Sequence, residues 1–287
     1  MAEKGTLTGK TDNGITWTYT GGIHNGMRHG KGKVTFSNGS IYEGDFVDDE
    51  FNGKGKMKLT DGSVYEGDFA DGMFNGKGKY TSEEEGVYEG DWVDGGHHGK
   101  GKQIFSNGYV YEGDFANDMI QGKGKLTLTD SSVYEGDFVE DEPNGKGKMI
   151  SGNGDIYEGD YVKGSRHGKG KFTLASGGFY EGDFVDDKIQ GKGKLTNADG
   201  SGYEGDIVNG LAHGKGKQKF TDGDVYEGYF VNDVPNGKGK FTFVNGDVYE
   251  GDVVDGEPHG KGKMTYKNGK VEEGNWKRGK IKKGLFG

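Results

Sequence analysis

Tyrosine stands at positions 19, 42, 65, 88, 111, 134, 157, 180, 203, 226 and 249, each 23 residues after the last and without one insertion. Self-similarity at a fixed period of this length marks a repeat architecture, in which each unit is one supersecondary element that buries its apolar side on its neighbours. The next position in the series is Glu272. With the tyrosine numbered one, position three is glycine throughout, from Gly21 to Gly274, and positions twelve to fifteen read GKGK in all eleven full repeats. Position five is aromatic at Phe46, Phe69, Trp92, Phe115, Phe138, Tyr161, Phe184, Phe230 and Trp276, with Ile23, Ile207 and Val253 as the exceptions. The chain therefore divides into an N-terminal cap segment (1–18), eleven repeats (19–271), and a truncated twelfth repeat with a basic C-terminal cap (272–287).

Each repeat reads as a β-hairpin. In the second, Tyr42 to Val47 and Gly55 to Leu59 alternate and carry strand-favouring residues. Positions seven and eight are Asn-Gly or Asp-Gly in five repeats, the chemistry of a two-residue type I′ turn. A turn at Asp48-Asp49 would set Tyr42 opposite Gly55, Glu43 opposite Lys54, Gly44 opposite Gly53 and Phe46 opposite Phe51. One face then shows rings and glycines, the other a ladder of Glu, Asp and Lys. An odd period would swap these faces at every repeat unless the second turn contains an odd loop or a bulge. Position twenty-one is glycine in nine of eleven repeats (Glu85 and Ser131 differ), which suits a three-residue loop closed by a left-handed glycine.

Composition fits a sheet with no second layer. Only 30% of the 287 residues are hydrophobic, too few for a two-sided core, while 16 Tyr, 16 Phe and 3 Trp are too many for a disordered chain. Glycine in a strand costs about 0.5–1 kcal/mol, so its recurrence needs a cause: rings of one repeat lying over glycines of the next. The formal charge of −10 opposes nonspecific attraction to nucleic acid or anionic lipid. There is no cysteine, hence no disulfide or thiolate site. The opening MAEKGTLTGKTDNG lacks the apolar core of a secretory leader and no run approaches a membrane span, so a soluble cytoplasmic chain is expected.

The YEGDF…GKGK pattern at this spacing resembles the MORN repeat (membrane occupation and recognition nexus), whose pattern runs Y-x-G-x-[WF] and then G-x-G. The resemblance covers 19–271 in full and 272–276 in part (EEGNW, without the tyrosine); the first copy, YTGGI from Tyr19 to Ile23, is the weakest. It implies an all-β, elongated, single-layer twisted antiparallel sheet of stacked hairpins. About 22 strands at ~4.8 Å would give a rod on the order of 100 Å. It also implies cytoskeletal or membrane-proximal structures, ciliary and cell-division assemblies among them, self-association as a homodimer through terminal repeats, and an association with phosphoinositides.

The apparent catalytic and ligand sites dissolve into the repeat. Gly5 to Thr11 mimics a phosphate-binding loop but has three residues between its glycines where four are needed, and no helix follows. Carboxylate pairs such as Glu43/Asp45 and Glu66/Asp68 recur in nine repeats as interchangeable rungs, whereas acid/base chemistry needs two distinct environments. His29, His98, His167, His213 and His259 share position eleven, where other repeats carry Asn or Gln; that position wants a hydrogen bonder across from position four. No two lie in adjacent repeats, so they cannot share one metal. Acidic turns such as Asp48-Asp49-Glu50 and Glu140-Asp141-Glu142 are solvated charge before they are calcium sites. No catalytic residue, metal or cofactor is expected, and the chain is not expected to be an enzyme.

Two features keep functional weight. The aromatic face, Tyr42, Phe46, Tyr65, Phe69, Tyr88, Trp92, Tyr111, Phe115, Tyr134, Phe138, Tyr157, Tyr161, Tyr180, Phe184, Tyr203, Tyr226, Phe230 and Tyr249, should form a groove for protein partners. At the C-terminal end Trp276, Lys277, Arg278, Lys280, Lys282, Lys283, Leu285 and Phe286 suit a cap, a self-association surface or a lipid contact. The sequence thus points to a scaffold or adaptor for protein partners in a cytoskeletal or ciliary assembly. The alternative is a membrane-surface adaptor that holds anionic phospholipid through its basic tail.

Overall fold

A computed structural model of the chain describes residues 3–282. Among them are 25 β-strands and no helix, so no helix long and apolar enough to cross a membrane is present. The strands form two compact units, Met1–Glu142 and Pro143–Gly287. Within each, consecutive strands pair antiparallel as an open sheet of hairpins.

In the first unit β1 (Glu3–Lys10) pairs β2 (Thr16–His24), followed by β3 (Met27–Phe36), β4 (Ile41–Val47), β5 (Glu50–Lys58) and β6 (Val64–Ala70). The pattern then continues to the strand Val133–Val139. The second unit runs on the same plan through Ile156–Val162 and Ser165–Thr173 to Val271–Lys277 and the short Lys280–Ile281.

Both turn types follow from the residues that make them. Asp48 and Asp49 have φ of 43° and 75°, and Asn25 and Gly26 have 51° and 80°, the two left-handed residues of a type I′ turn. The second turn is a three-residue loop. Phe36 N–H donates to the Ser40 carbonyl at 2.9 Å, Gly39 N–H donates to the Phe36 carbonyl at 3.0 Å, and Gly39 has φ of 95°. This odd loop keeps the faces constant, as the parity of 23 requires. Where glycine is missing from position twenty-one, Gly86 takes the left-handed conformation one residue later, or Ser131 adopts it at φ 69°.

The hairpin register departs from the expected one. Phe46 does face Phe51, but Tyr42 faces Met57, Glu43 faces Lys56 and Gly44 faces Gly55, with a register shift between Gly44 and Phe46. A bulge therefore sits opposite Asp45. It is opened by Gly53, whose φ is 66°, and closed by Asp45 Oδ2, which accepts the Lys54 N–H at 3.2 Å. The two glycines of GKGK are thus not equivalent: Gly53 makes the bulge and Gly55 belongs to the ladder.

The core is one layer thick because the glycines are floor and the tyrosines are cover. Gly44 and Gly55 face each other, and Gly55 faces Gly67 on β6, so glycine meets glycine across adjoining strands. Tyr42 is fully buried over this row; a Cβ on Gly55 would lie 2.5 Å from its ring and hydroxyl. The covered glycines belong to the tyrosine's own hairpin, not to the next repeat as expected, because the bulge moves Gly55 back beside Gly44. The Tyr42 hydroxyl donates to the Asp45 carbonyl at 2.8 Å, and the same bond recurs from Tyr65 to Asp68 and from Tyr88 to Asp91.

Candidate partner-binding face

Position five sits between tyrosines. Phe46 packs edge-on against Tyr42 at 5.1 Å and against Tyr19 of the preceding repeat at 4.9 Å, and Phe69 meets Tyr42 at 4.9 Å. Each such pair is worth about 0.5–1.5 kcal/mol beyond burial. In the first unit this zipper continues through Trp92, Phe115 and Phe138 to Tyr111. In the second it joins Tyr157, Tyr161, Phe184 and Tyr180, then Tyr203, Phe230 and Tyr226, then Tyr249 and Trp276, with Ile207 and Val253 standing between the groups. The indoles of Trp92 and Trp276 also donate to the carbonyls of Gly78 and Gly262, at 3.1 and 2.8 Å.

In each unit the predicted ring residues therefore lie on one side of the sheet, and all are buried, none more than 8% exposed. What stands over them is position ten, which the sequence reading did not single out. Phe51 stacks on Tyr42 at 4.0 Å, Phe74 on Tyr65 at 3.8 Å and His97 on Tyr88 at 3.7 Å; the Arg166 guanidinium lies 5.6 Å from the Tyr157 ring centre. Arg28, Ile120, Pro143, Ile189, Ala212, Pro235 and Pro258 hold the same place in their repeats. Position ten is thus one of two places where this face changes chemistry from hairpin to hairpin; the other is position sixteen, opposite the tyrosine, as at Met57, Tyr80 and Gln103. The signal was present in the sequence, since all three prolines fall at position ten, but nothing local says that the residue two places past a turn folds onto a tyrosine.

Position eight holds the hairpins in line. Its N–H donates to the position-ten carbonyl of the repeat before, as Asp49 to Arg28 and Gly72 to Phe51, both at 3.0 Å. Where position eight is aspartate, its carboxylate accepts the position-ten N–H in return: Asp49 from Arg28, Asp118 from His97, Asp141 from Ile120, Asp187 from Arg166 and Asp233 from Ala212, at 2.7 to 3.0 Å. After each proline at position ten, which has no N–H to give, position eight is glycine: Gly164, Gly256 and Gly279. The acidic turns are therefore acceptors within the sheet.

The charged side of the sheet is a ladder between repeats. Lys54 Nζ reaches Asp68 at 2.7 Å and Lys169 reaches Asp183 at 2.6 Å. A hydrogen bond from the lysine of the preceding repeat, above all, holds the carboxyls of Asp91, Asp160, Asp183, Asp206 and Asp252 below the usual range. In the tenth repeat Tyr229 replaces this aspartate and Lys215 lies 5.6 Å from its ring centre. Glu43 pairs not only with Lys56 but, at 3.6 Å, with Lys33 of the previous repeat. Three of the histidines at position eleven face position four: His98 faces Asp91, His167 faces Asp160 and His259 faces Asp252. Among the described residues no three His, Asp or Glu side chains gather as metal ligands.

At the C-terminal end Trp276 is buried and Ile281 covers Gly274, the place a tyrosine would take were it not for Glu272. Lys277, Arg278, Lys280 and Lys282 are exposed. Lys283, Leu285 and Phe286 lie outside the described residues.

Fold and face together define a hairpin-repeat protein, whose recurring tyrosines and glycines hold the structure and whose positions ten and sixteen vary. The chain belongs to the MORN-repeat family, whose model matches residues 19–41, 42–64, 65–84, 88–108, 111–133, 134–156, 157–179, 180–202, 203–225, 226–248 and 249–271. No curated protein matches its sequence. Among solved structures it is similar to the TCP10 domain of Danio rerio CPAP, at 14% identity over 85% of this chain and 99% of that one, with a TM-score of 0.36. It is also similar to the TCP domain of Drosophila melanogaster SAS-4 (dCPAP), solved in complex with a proline-rich motif of Ana2 (dSTIL), at 11% identity over 62% and 90% of the two chains, TM-score 0.36. Likenesses this distant carry no argument about what this chain binds.

Proposed function

We propose that the chain is a non-enzymatic scaffold that binds protein partners over its ring-lined face, in a cytoskeletal or ciliary assembly of the cytoplasm. The observation that carries this reading is position ten. Its side chains are half-buried over the tyrosines at Phe51, Phe74 and His97, and they differ from repeat to repeat over tyrosines and glycines that do not. A partner laid along the row would read these residues first and the buried ring edges beneath them second. The test is detergent extraction of source cells carrying the tagged chain. Retention in the insoluble fraction, lost in a Phe51→Ser/Phe74→Ser/His97→Ser variant that still folds, supports the scaffold; complete release from membranes by detergent overturns it.

A membrane-surface adaptor is the second reading. It is favoured by Lys277, Arg278, Lys280 and Lys282, which are exposed and, among the described residues, joined to no carboxylate. Binding to anionic vesicles that is lost on deleting 277–287 and weakened by salt would establish it. Self-association through terminal repeats belongs with either reading, and sedimentation of the purified chain at rising concentration tests it.

A further inference from the structure

On the side of the sheet away from the rings runs an apolar row that the hairpins do not use. In the first unit Val47, Val93 and Val139, all at position six, are 44%, 47% and 47% exposed. The hairpins between them carry Ala70 paired with Met73, itself 44% exposed, and Ala116 paired with Met119. Scattered exposed valines are ordinary in strands; here every hairpin of repeats two to six offers apolar surface at one register position. Adjacent members lie two strands apart, about 9.6 Å.

The charge beside this row has one sign. Farther along the strands the same face is compensated, since Lys31, Lys54, Lys77, Lys100 and Lys123 each meet an aspartate of the next repeat. The turns next to the row carry Asp48, Glu50, Asp71, Asp94, Glu140 and Glu142, and positions six to nine of these repeats contain no lysine or arginine. In the second unit the valines recur at Val162, Val185, Val208, Val231 and Val254, but Lys163 and Lys188 stand among the turns.

We propose that the first unit docks a basic amphipathic α-helix along this row, a second surface independent of the ring-lined face. Seven residues of an α-helix advance about 10.5 Å, close to the two-strand spacing, so an apolar side chain at every seventh position meets one hairpin after another. Lysines or arginines flanking that stripe meet the acidic turns. The face itself has no free backbone to offer, because its N–H and C=O groups are spent in the ladder. A helix, which satisfies its own backbone, suits it; an extended segment would be left with unpaired groups.

The test is fluorescence anisotropy of the full chain with a labelled synthetic peptide of about four heptads, leucine at every seventh position and lysine beside it. The expected result is salt-sensitive binding that weakens about tenfold in Val47→Thr/Val93→Thr/Val139→Thr and changes less than about twofold in the second-unit control Val162→Thr/Val208→Thr/Val254→Thr. Threonine keeps the β-branch, so both variants should melt like the parent; if the first does not, Met73→Gln/Met119→Gln is read in its place with the same expectation. No binding, equal losses in the two sets, or equal affinity for a proline-interrupted peptide of the same composition overturns the proposal.

Discussion

Asp233 occupies a left-handed conformation, φ 68°, that costs an L-residue about 1 kcal/mol or more, and it is held there by the Ala212 N–H, 2.7 Å from its carboxylate. Ala212→Pro removes that donor at a position that tolerates proline in three other repeats, and Asp233→Gly removes the acceptor together with the strain. Ala212→Pro alone should lower stability by about 1 kcal/mol. The double variant recreates the Pro…Gly combination found after Pro143, Pro235 and Pro258 and should recover most of it, giving a coupling of about 1 kcal/mol in a denaturation cycle. Gly55 tests the floor of the core in the same way. A methyl group there has no space under the Tyr42 ring, which is buried beneath Phe51 and tied through its hydroxyl to the Asp45 carbonyl. Gly55→Ala should therefore cost about 1–3 kcal/mol, whereas Ala at Gly26, with nothing near its Cβ direction, carries only the strain of φ 80°. Urea melts of the two variants separate crowding from strain.

At the scale of the hairpin, the buried tyrosine links fold to pH. Burial first, and the neighbouring aspartate second, push Tyr88, Tyr134, Tyr157, Tyr180 and Tyr203 up to about 12, and Tyr42, Tyr65 and Tyr111 are raised further. A folded-state value above the unfolded one, near 10, means that the stabilisation is whole below pH ~10 and disappears as pH climbs towards ~12. Tyrosinate absorbance and loss of the β-sheet circular dichroism signal should rise together in an alkaline titration; repeat tyrosines that ionise with the sheet intact would contradict the packing. Much of the hairpin was legible beforehand. The 23-residue spacing fixed the repeat, Asn-Gly and Asp-Gly marked the first turn, and the odd period demanded the three-residue loop found at Ser37-Asn38-Gly39. The register from Gly53 onward was not legible, because a glycine that opens a bulge and a glycine that lies flat under a ring are spelled alike in GKGK. Only Asp45 distinguishes them, by accepting the N–H beyond the bulge, and an aspartate within a charged ladder gives no hint of that duty. The role of position ten was hidden for a related reason: Phe, His, Arg, Ile, Ala and Pro share no chemistry, only the tyrosine beneath them.

For the molecule as a whole, contacts confined to neighbouring hairpins make stability close to a sum over repeats and the joints between them. Removing residues 203–225 joins Gly202 to Tyr226 with the register intact and both faces unchanged, so the shortened chain should fold with a small drop in Tm. Removing 203–224 instead shifts the following strand by one residue, turns its rings towards the charged side and should abolish cooperative melting of the second unit. Circular dichroism melts of the two deletions, one residue apart in size, test the additive picture directly. The bonds from position eight back to position ten also have a direction. A hairpin receives its last backbone tie, and in five places a carboxylate as well, only from the repeat that follows it in sequence. During synthesis on the ribosome each hairpin would emerge with its neighbour's half of the lock still inside the exit tunnel, so assembly lags translation by one repeat, and a pause at any codon strands a single unfinished unit while everything already made stays closed.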